Sequence, residues 1–309
     1  MIVDFHCDVL MKMHAEPDIR FADDPRLDVT LEKLRQGGVR LQNFAIYLPE
    51  KISPPSFAHI LECVRLFHER IASLDEMRFV RTAEDLVRAR NAGKIGAMLS
   101  LEGADALQGR VEDADLLFEL GVRSVQITWN YGNWAADGVL EPRRAGLTVK
   151  GRRFVERLAR TGMLLDVSHL NEPGFWEAAA LYNRPLIASH ANARAVCPHP
   201  RNLSDDQIRA IVSSGGLIGI AFVPEFIDPY EPDMVRLMHH IEHICSLGGE
   251  KGLMLGSDFD GIDRHVPGLE HPGRLPDLAD LLLNHFPART VEGILGENAY
   301  RFLLSHLPT

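Results

Sequence analysis

The sequence is poor in cysteine, with four cysteines among 309 residues, at Cys7, Cys63, Cys197 and Cys245. None forms a Cys-x-x-Cys pair, and the spacing suggests no disulfide framework. Long apolar runs are also missing: no stretch approaches the ~20 residues of a membrane span, and no basic segment followed by an apolar one opens the chain. These absences predict a soluble, cytoplasmic protein with no membrane partner.

Positive charge is scarcer than negative charge, since 33 Lys and Arg face 43 Asp and Glu and the net charge is -10. This balance argues against a nucleic acid or an anionic membrane surface as a partner. Neither a Gly-x-Gly-x-x-Gly motif nor a P-loop follows the first apolar segment, which argues against a doubly wound nucleotide-binding fold. The sequence leaves open whether the chain acts alone or as a homodimer.

Eight short apolar segments are typical of β-strands. They are Ile2–His6, Val39–Leu48, Ile95–Leu101, Val122–Thr128, Met163–Val167, Pro185–Ala188, Gly216–Val223 and Leu253–Gly256. Segments with helical periodicity separate them; these are Ser56–Leu74, a helix opened by Thr82, Gly151–Arg160, Glu172–Tyr182, Ser204–Ser213 and Asp233–Ser246. Strands that alternate with helices indicate a parallel sheet, and eight such units favour a closed (β/α)8 barrel of the α/β class. We predict one barrel domain over residues 1–309, closed by helices over Pro276–Leu283 and Val291–Leu304.

Side chains that can bind metals recur at the ends of these predicted strands, where a barrel of this kind builds its active site. In chain order they are His6, Asp8, Glu102, His169, His190 and Asp258. His6 and Asp8 lie two residues apart on a strand, so they point to the same face and can hold one divalent cation. Each residue alone could be a helix cap or a solvated side chain. Convergence from five strand ends favours a shared site instead.

The donor set suits two metal ions better than one. His6 and Asp8 form one ligand pair, His169 and His190 form another, and the two carboxylate oxygens of Glu102 could bridge the ions. Imidazole and carboxylate together suit zinc, and paired metals hold a hydroxide between them and polarise a carbonyl. Asp258 is then the spare acid, which can take a proton from the water and give it to a leaving amine.

The remaining histidines provide a comparison. His59, His68, His239, His240 and His243 fall within helical segments, where we expect them to be solvated. His199 lies in the loop after the sixth predicted strand, from which it could reach the mouth of the barrel.

Seven motifs run in order along nearly the whole chain. They are His6-x-Asp8, Leu101-Glu102-Gly103, Asp166-Val167-Ser168-His169, Ser189-His190, Arg201-Asn202-Leu203-Ser204-Asp205-Asp206, Ser257-Asp258-Phe259-Asp260-Gly261 and Gly296-x-Asn298-x-x-Arg301-Phe302. Together they resemble the membrane (renal-type) dipeptidase family, peptidase family M19, among the metal-dependent amidohydrolase barrels. The resemblance implies a binuclear zinc dipeptidase that cleaves free dipeptides, often with a D-residue at the C-terminal position.

The resemblance also implies roles for residues of this chain. His6 and Asp8 would bind one zinc, His169 and His190 the other, with Glu102 bridging, Asp258 shuttling the proton and Arg201 holding the substrate carboxylate. One position departs from the family pattern, because Trp129 stands where mammalian-type members carry a histidine that contacts the scissile carbonyl or its oxyanion. The neighbouring Asn130 can donate a hydrogen bond there, so we expect it to contact the substrate.

Two other interpretations remain open. The chain could be another amidohydrolase-type barrel that acts on a lactone, a cyclic amide or a deaminable base. Many such barrels carry His-x-His on the first strand and a carboxylated lysine on the fourth, whereas this chain has His-x-Asp and no strand-end lysine. Alternatively, it could be a barrel that has lost catalysis and binds peptide-like ligands.

Overall fold

Eight parallel strands close into a barrel in this computed structural model, which describes residues 1–49, 52 and 54–309. The described residues form nine strands, of which all but β3 belong to this ring: β1 (Ile2–Asp4), β2 (Val39–Tyr47), β3 (Met77–Phe79), β4 (Ile95–Glu102), β5 (Val122–Gln126), β6 (Leu164–Asp166), β7 (Ile187–Ala188), β8 (Leu217–Ile220) and β9 (Leu253–Leu255). The ring runs β2-β1-β9-β8-β7-β6-β5-β4 and closes where β4 pairs with β2. Each of the eight predicted segments contributes one strand of this ring, so the predicted barrel is confirmed.

The helices in the described residues surround the ring. They are α1 (Val9–Ala15), α2 (Leu31–Gln36), α3 (Phe57–Phe67), α4 (Ala83–Asn91), α5 (Asp113–Glu119), α6 (Val149–Thr161), α7 (Glu172–Leu181), α8 (Asp205–Ser213), α9 (Pro224–Ile227), α10 (Met234–Ser246), α11 (Leu275–Leu283), α12 (Ala288–Glu292) and α13 (Asn298–His306). No helix in this part of the chain is long and apolar enough to cross a bilayer.

Local capping explains where several helices begin. The side chain of Thr82 accepts a hydrogen bond from the backbone N–H of Asp85 at 3.0 Å, which starts α4 where the sequence predicts it. Ser204 and Gln207 form a reciprocal capping box at the start of α8. Such caps satisfy backbone donors that have no partner within the helix, so they fix the first residue of each helix.

Several short elements are not apparent from the sequence pattern. The strand β3 pairs only with the first half of β4 and lies outside the ring, and α1, α2, α5 and α9 have four to seven residues each. Such segments are too short to show a full helical period. α1 is relevant to the site because it begins at Val9, directly after Asp8, and so turns the chain away immediately after the predicted ligand.

The barrel interior is filled by apolar side chains, which include Phe5, Met98 and Met254. Phe302 and Leu303 of α13 belong to the same buried cluster and cover the end of the barrel that lies opposite the carboxyl ends of the strands. The interior is therefore a packed core rather than a pore, as in other barrels of this type. The polar side chains that could take part in chemistry lie at the carboxyl ends of the strands.

Candidate active site

The six predicted ligand and acid side chains face one another at the carboxyl ends of five strands. His6 and Asp8 follow β1, Glu102 ends β4, His169 follows β6, His190 follows β7 and Asp258 follows β9. Five of them are buried, and the side chain of Asp258 is 15% exposed, so it alone reaches toward solvent. Parallel strands bring residues that are up to 252 positions apart, from His6 to Asp258, into one cluster.

Glu102 lies at the centre of the cluster. Its Oε2 lies 3.3 Å from Nε2 of His6, and its Oε1 lies 2.9 Å from Nε2 of His169 and 3.7 Å from Nε2 of His190. One carboxylate oxygen of Glu102 thus faces a single imidazole, and the other faces two. Asp8 and Asp258 both approach the His6 side, with oxygens at 3.4 and 3.6 Å from its Nε2.

Three overlapping sets of side chains could each hold a metal ion, with all ligand atoms in a set within 4.8 Å of one another. The sets are His6, Asp8 and Glu102; Glu102, His169 and His190; and His6, His190 and Asp258. The first two match the two ligand groups expected from the sequence, and they share only Glu102.

The histidines on the second side are held by bonds to their other ring nitrogen. Nδ1 of His169 lies 2.8 Å from Oδ1 of Asn130, and Nδ1 of His190 lies 2.9 Å from Oγ of Ser189. An amide oxygen can only accept, so Nδ1 of His169 carries the proton and its Nε2 presents a lone pair. Such bonds fix ring orientation and tautomer at metal sites. The contact between Asn130 and His169 was not foreseen from the sequence.

Burial and neighbouring charges shift the pKa values of several side chains in the cluster. Burial opposes the charged form of His6, but the carboxylates of Glu102 and Asp8 raise its pKa well above the usual value. Burial and the charge of Arg201 lower the pKa of His169 to about 3. Burial, together with the charges of Asp8 and Glu102, raises the pKa of Asp258 well above the usual range. Three crowded carboxylates therefore favour cations in their midst.

Several buried atoms also fit bound metal ions. Nε2 of His6 and Oδ1 of Asp8 have no hydrogen-bond partner among the described residues. The Nε2 atoms of His169 and His190 lie 2.9 Å apart. With the Nδ1 proton of His169 donated to Asn130, Nε2 of His169 presents a lone pair beside Nε2 of His190, and both atoms suit a shared cation. The donor set of imidazole nitrogens and carboxylate oxygens is one that zinc accepts.

Arg201 is buried, not on the surface, and it lines the same mouth as Asp258 and His169. Its Nη2 donates to the backbone oxygen of His190 at 3.3 Å, and its guanidinium lies 5.2 Å from the ring centre of Phe226. No carboxylate lies within ion-pair distance of it in the described chain, and its Nε has no hydrogen-bond partner there. Burial lowers its pKa to about 10, so it is charged at neutral pH. A buried cation with an unused donor suits an anionic ligand.

Trp129, which the sequence resemblance puts in place of a histidine, forms part of the wall of the mouth. Its ring centre lies 5.3 Å from that of Tyr47 and 6.0 Å from that of His169. His199 also lines this mouth, in agreement with the expectation that its loop could reach it. The cavity has a volume of about 320 Å³.

Backbone conformation contributes to the site in a way that sequence patterns do not reveal. His169 and Asp258 both have a left-handed backbone, each with φ of 67°. This conformation is costly for residues other than glycine and is often kept at functional positions. Next to Asp258, Gly261 leaves no room for a side chain, since a Cβ there would lie 2.3 Å from Oδ2 of Asp8.

His240 corrects one expectation from the sequence, because it is fully buried rather than solvated. Its Nδ1 accepts from the backbone N–H of Ala193 at 3.1 Å, and its Nε2 donates to the backbone oxygen of Ile227 at 3.0 Å. It thereby joins the loop that carries Arg201 to α9, which carries Phe226. Helical periodicity does not distinguish a buried polar residue from an exposed one when its partners come from distant loops.

We expect His240 to make the protein less stable in mild acid. Burial lowers its pKa below the usual 6.5, so the unfolded chain takes up the proton first as the pH falls. Stability is fully present above about pH 6.5 and declines below it, by up to ~1.4 kcal/mol per pH unit for this one proton. Urea unfolding at pH 7.5 and 5.5 should show a smaller decline in His240→Gln than in the wild type. The exposed neighbour gives the control, His239→Gln, which should decline like the wild type; equal declines in all three proteins would contradict the prediction.

Comparison with known proteins places this geometry in a family. The model of the membrane dipeptidase family (peptidase family M19) matches residues 1–305. The dipeptidase tcpJ of Claviceps purpurea is 32% identical over 242 residues, which cover 76% of this chain and 57% of that protein.

Comparison with solved structures points to the same family. A dipeptidase designated AC, a metallopeptidase of family M19, superposes with a TM-score of 0.91 at 28% identity, covering 99% of this chain and 98% of the other. A metallopeptidase from Rhodobacter sphaeroides, liganded with a phosphinate mimic of L-Ala-D-Ala, gives a TM-score of 0.87 at 27% identity and covers 99% of both chains. The chain therefore belongs to the membrane dipeptidase family, peptidase family M19, and is a metallodipeptidase.

Proposed function

We propose that this protein is a binuclear zinc dipeptidase that hydrolyses free dipeptides, including those with a D-residue at the C-terminal position. The observation that carries the proposal is the position of Glu102, whose two oxygens face His6 on one side and His169 and His190 on the other. One site would consist of His6, Asp8 and Glu102, and the other of Glu102, His169 and His190. Bound zinc would activate water and polarise the scissile carbonyl.

The chain's own residues supply the rest of the chemistry. Asp258 lies beside His6 and is the one member of the cluster that reaches toward solvent, so it can take a proton from water and pass it to the leaving amine. Arg201 is placed to bind the substrate's free carboxylate. Asn130 orients His169 through Oδ1, and its amide nitrogen would donate to the substrate, as expected from the sequence.

The substrate class is supported by the relatives. Proteins named dipeptidases match most of the chain, and the Rhodobacter sphaeroides enzyme holds a mimic of an L,D-dipeptide. This evidence favours a dipeptide over the lactone, cyclic amide or base of the alternative barrels. Zinc-reconstituted protein should cleave members of an L-Xaa-L-Xaa and L-Xaa-D-Xaa panel. Zinc binding without any turnover would support the peptide-binding alternative. The homodimer and the cytoplasmic location stay predictions.

Metal content tests the binuclear site directly. We expect about two zinc ions per chain, measured by elemental analysis after dialysis against metal-free buffer. Glu102→Gln should lower the content at both sites, because a neutral amide cannot bridge two cations as a carboxylate does. The exposed Glu119 provides a matched control, since Glu119→Gln makes the same change on α5 and should keep both ions. One tightly bound ion or fewer in metal-replete wild type would contradict the model.

A further inference from the structure

A second cavity of about 200 Å³ adjoins the metal-ligand cluster and shares Tyr47, Glu102 and Trp129 with the main mouth. Its wall also contains Tyr131 and the carboxylate of Asp105. The cavity is therefore aromatic on its sides and carries a negative charge at its rim. It is large enough for one long side chain.

The position of this cavity in the barrel indicates which part of a dipeptide it would bind. Tyr47 ends β2, and Arg201 follows β7. In the closed ring β7 and β2 are four strands apart by either route, so they lie on opposite sides of the mouth. A dipeptide whose carboxylate is bound at Arg201 extends across the cluster, which places its N-terminal residue on the side of the second cavity.

The aromatic wall consists of three rings in sequence. The ring centres of Tyr47 and Trp129 are 5.3 Å apart, and those of Trp129 and Tyr131 are 6.5 Å apart. Aromatic faces bind the apolar stem of a long side chain and attract a cationic head group. The same aromatic faces do not attract an anionic head group.

The carboxylate of Asp105 is held toward this cavity. Its Oδ2 accepts from Nδ2 of Asn133 at 3.0 Å, and the same amide nitrogen donates to the backbone oxygen of Ile127. A Cβ added to Gly103, which has φ of 84°, would lie 3.0 Å from this Oδ2, so the carboxylate rests over the backbone next to Glu102. The bond from Asn133 thus holds the acid over Gly103, in the wall of the cavity that also contains Glu102.

The other charges near the cavity do not cancel Asp105. Among the described residues Arg143 lies near the cavity as a cation, and it forms an ion pair with Asp137. Oε2 of Glu141 accepts from the backbone N–H of Gly132, which adds a second acid on this side. Among these described side chains the acids outnumber the cations.

From these observations we propose that the cavity beside Trp129 is the subsite for the side chain of the substrate's N-terminal residue, and that Asp105 gives it a preference for lysine or arginine. This inference rests on the proposed dipeptidase function and specifies its substrate class. A cationic side chain lays its stem along Tyr47 and Trp129 and places its head group near Asp105. A glutamyl side chain brings a second negative charge into the same cavity.

The test compares three substrates that differ only in the N-terminal side chain: lysyl-, norleucyl- and glutamyl-alanine, with alanine of the stereochemistry that the enzyme cleaves faster. Wild type should show the highest kcat/KM for the lysyl and the lowest for the glutamyl substrate. Because Asp105 is at the rim, we expect Asp105→Asn to reduce the lysyl-to-glutamyl ratio about five- to tenfold. Asp105→Lys should invert the preference. A structural defect lowers all three rates alike and leaves the ratio unchanged.

The control variant makes the same change, from aspartate to asparagine, at a position far from the cavity. Asp75→Asn removes a fully exposed carboxylate near the start of β3, at the opposite end of the barrel, and should keep the wild-type ratio. Equal kcat/KM for the three substrates in wild type, or an unchanged ratio in Asp105→Asn and Asp105→Lys, overturns the subsite proposal and leaves the dipeptidase intact. Failure of wild type to cleave any dipeptide overturns the proposed function, and the subsite with it.

Discussion

Replacement of Asp258 by asparagine should leave a protein that keeps its metal ions and loses nearly all turnover. The amide has almost the size of the carboxylate but cannot carry a proton between the water and the leaving amine. General acid–base groups contribute typically ~10²–10⁴-fold, so we expect kcat to fall by about that factor. The measurement is steady-state hydrolysis of a free dipeptide, together with zinc content on the same sample.

Asp263 provides the matched control, because it is exposed and only five residues further along. Asp263→Asn should retain wild-type kcat. If Asp258→Asn has normal metal content and a kcat within a few-fold of wild type, Asp258 does not move the proton. Loss of metal instead would identify Asp258 as a ligand, consistent with its place in the third possible metal set beside His6 and His190.

The barrel was predictable because each ring strand has its own apolar segment with a turn or a helix on either side. Even β7, which has two residues, lies within the predicted segment Pro185–Ala188. The convergence of His6 and Glu102 followed from parallel connectivity alone, since all carboxyl ends of such strands meet at one mouth.

Other parts of the site depend on interactions between distant segments, which the sequence pattern does not contain. Neither the bond from His169 to Asn130 nor the burial of His240 between a loop and α9 has a periodic signal. The left-handed backbone of His169 and Asp258 also leaves no periodic signal in the sequence, although Asp and His adopt this conformation more often than most residues other than glycine. The burial of Arg201 is a similar case, because spacing alone favours a surface pair with Asp205 or Asp206. In the structure those acids instead contact Arg209 on the same helix.

The second large effect concerns Arg201, and it separates a dipeptidase from a general peptidase. An enzyme restricted to dipeptides must recognise a free carboxylate one residue beyond the scissile bond. A planar guanidinium can match both carboxylate oxygens, and Arg201 offers a buried one with an unused Nε. Losing a charge-assisted pair of this kind costs ~1.5–3 kcal/mol, which is roughly a 10- to 150-fold change.

We therefore expect kcat/KM for a free dipeptide to fall at least about tenfold in Arg201→Lys, which keeps the charge but loses the fork, and further in Arg201→Ala. Zinc content should be measured alongside, because Nη2 of Arg201 also bonds the backbone of the ligand His190. Arg209→Ala removes an arginine from the surface of α8 and should have little effect. Dipeptides with an amidated C-terminus should be poor substrates for wild type, and Arg201→Ala should discriminate much less between the amide and the acid. If wild type cleaves both forms equally well, Arg201 has no carboxylate to bind and the restriction to free dipeptides is wrong.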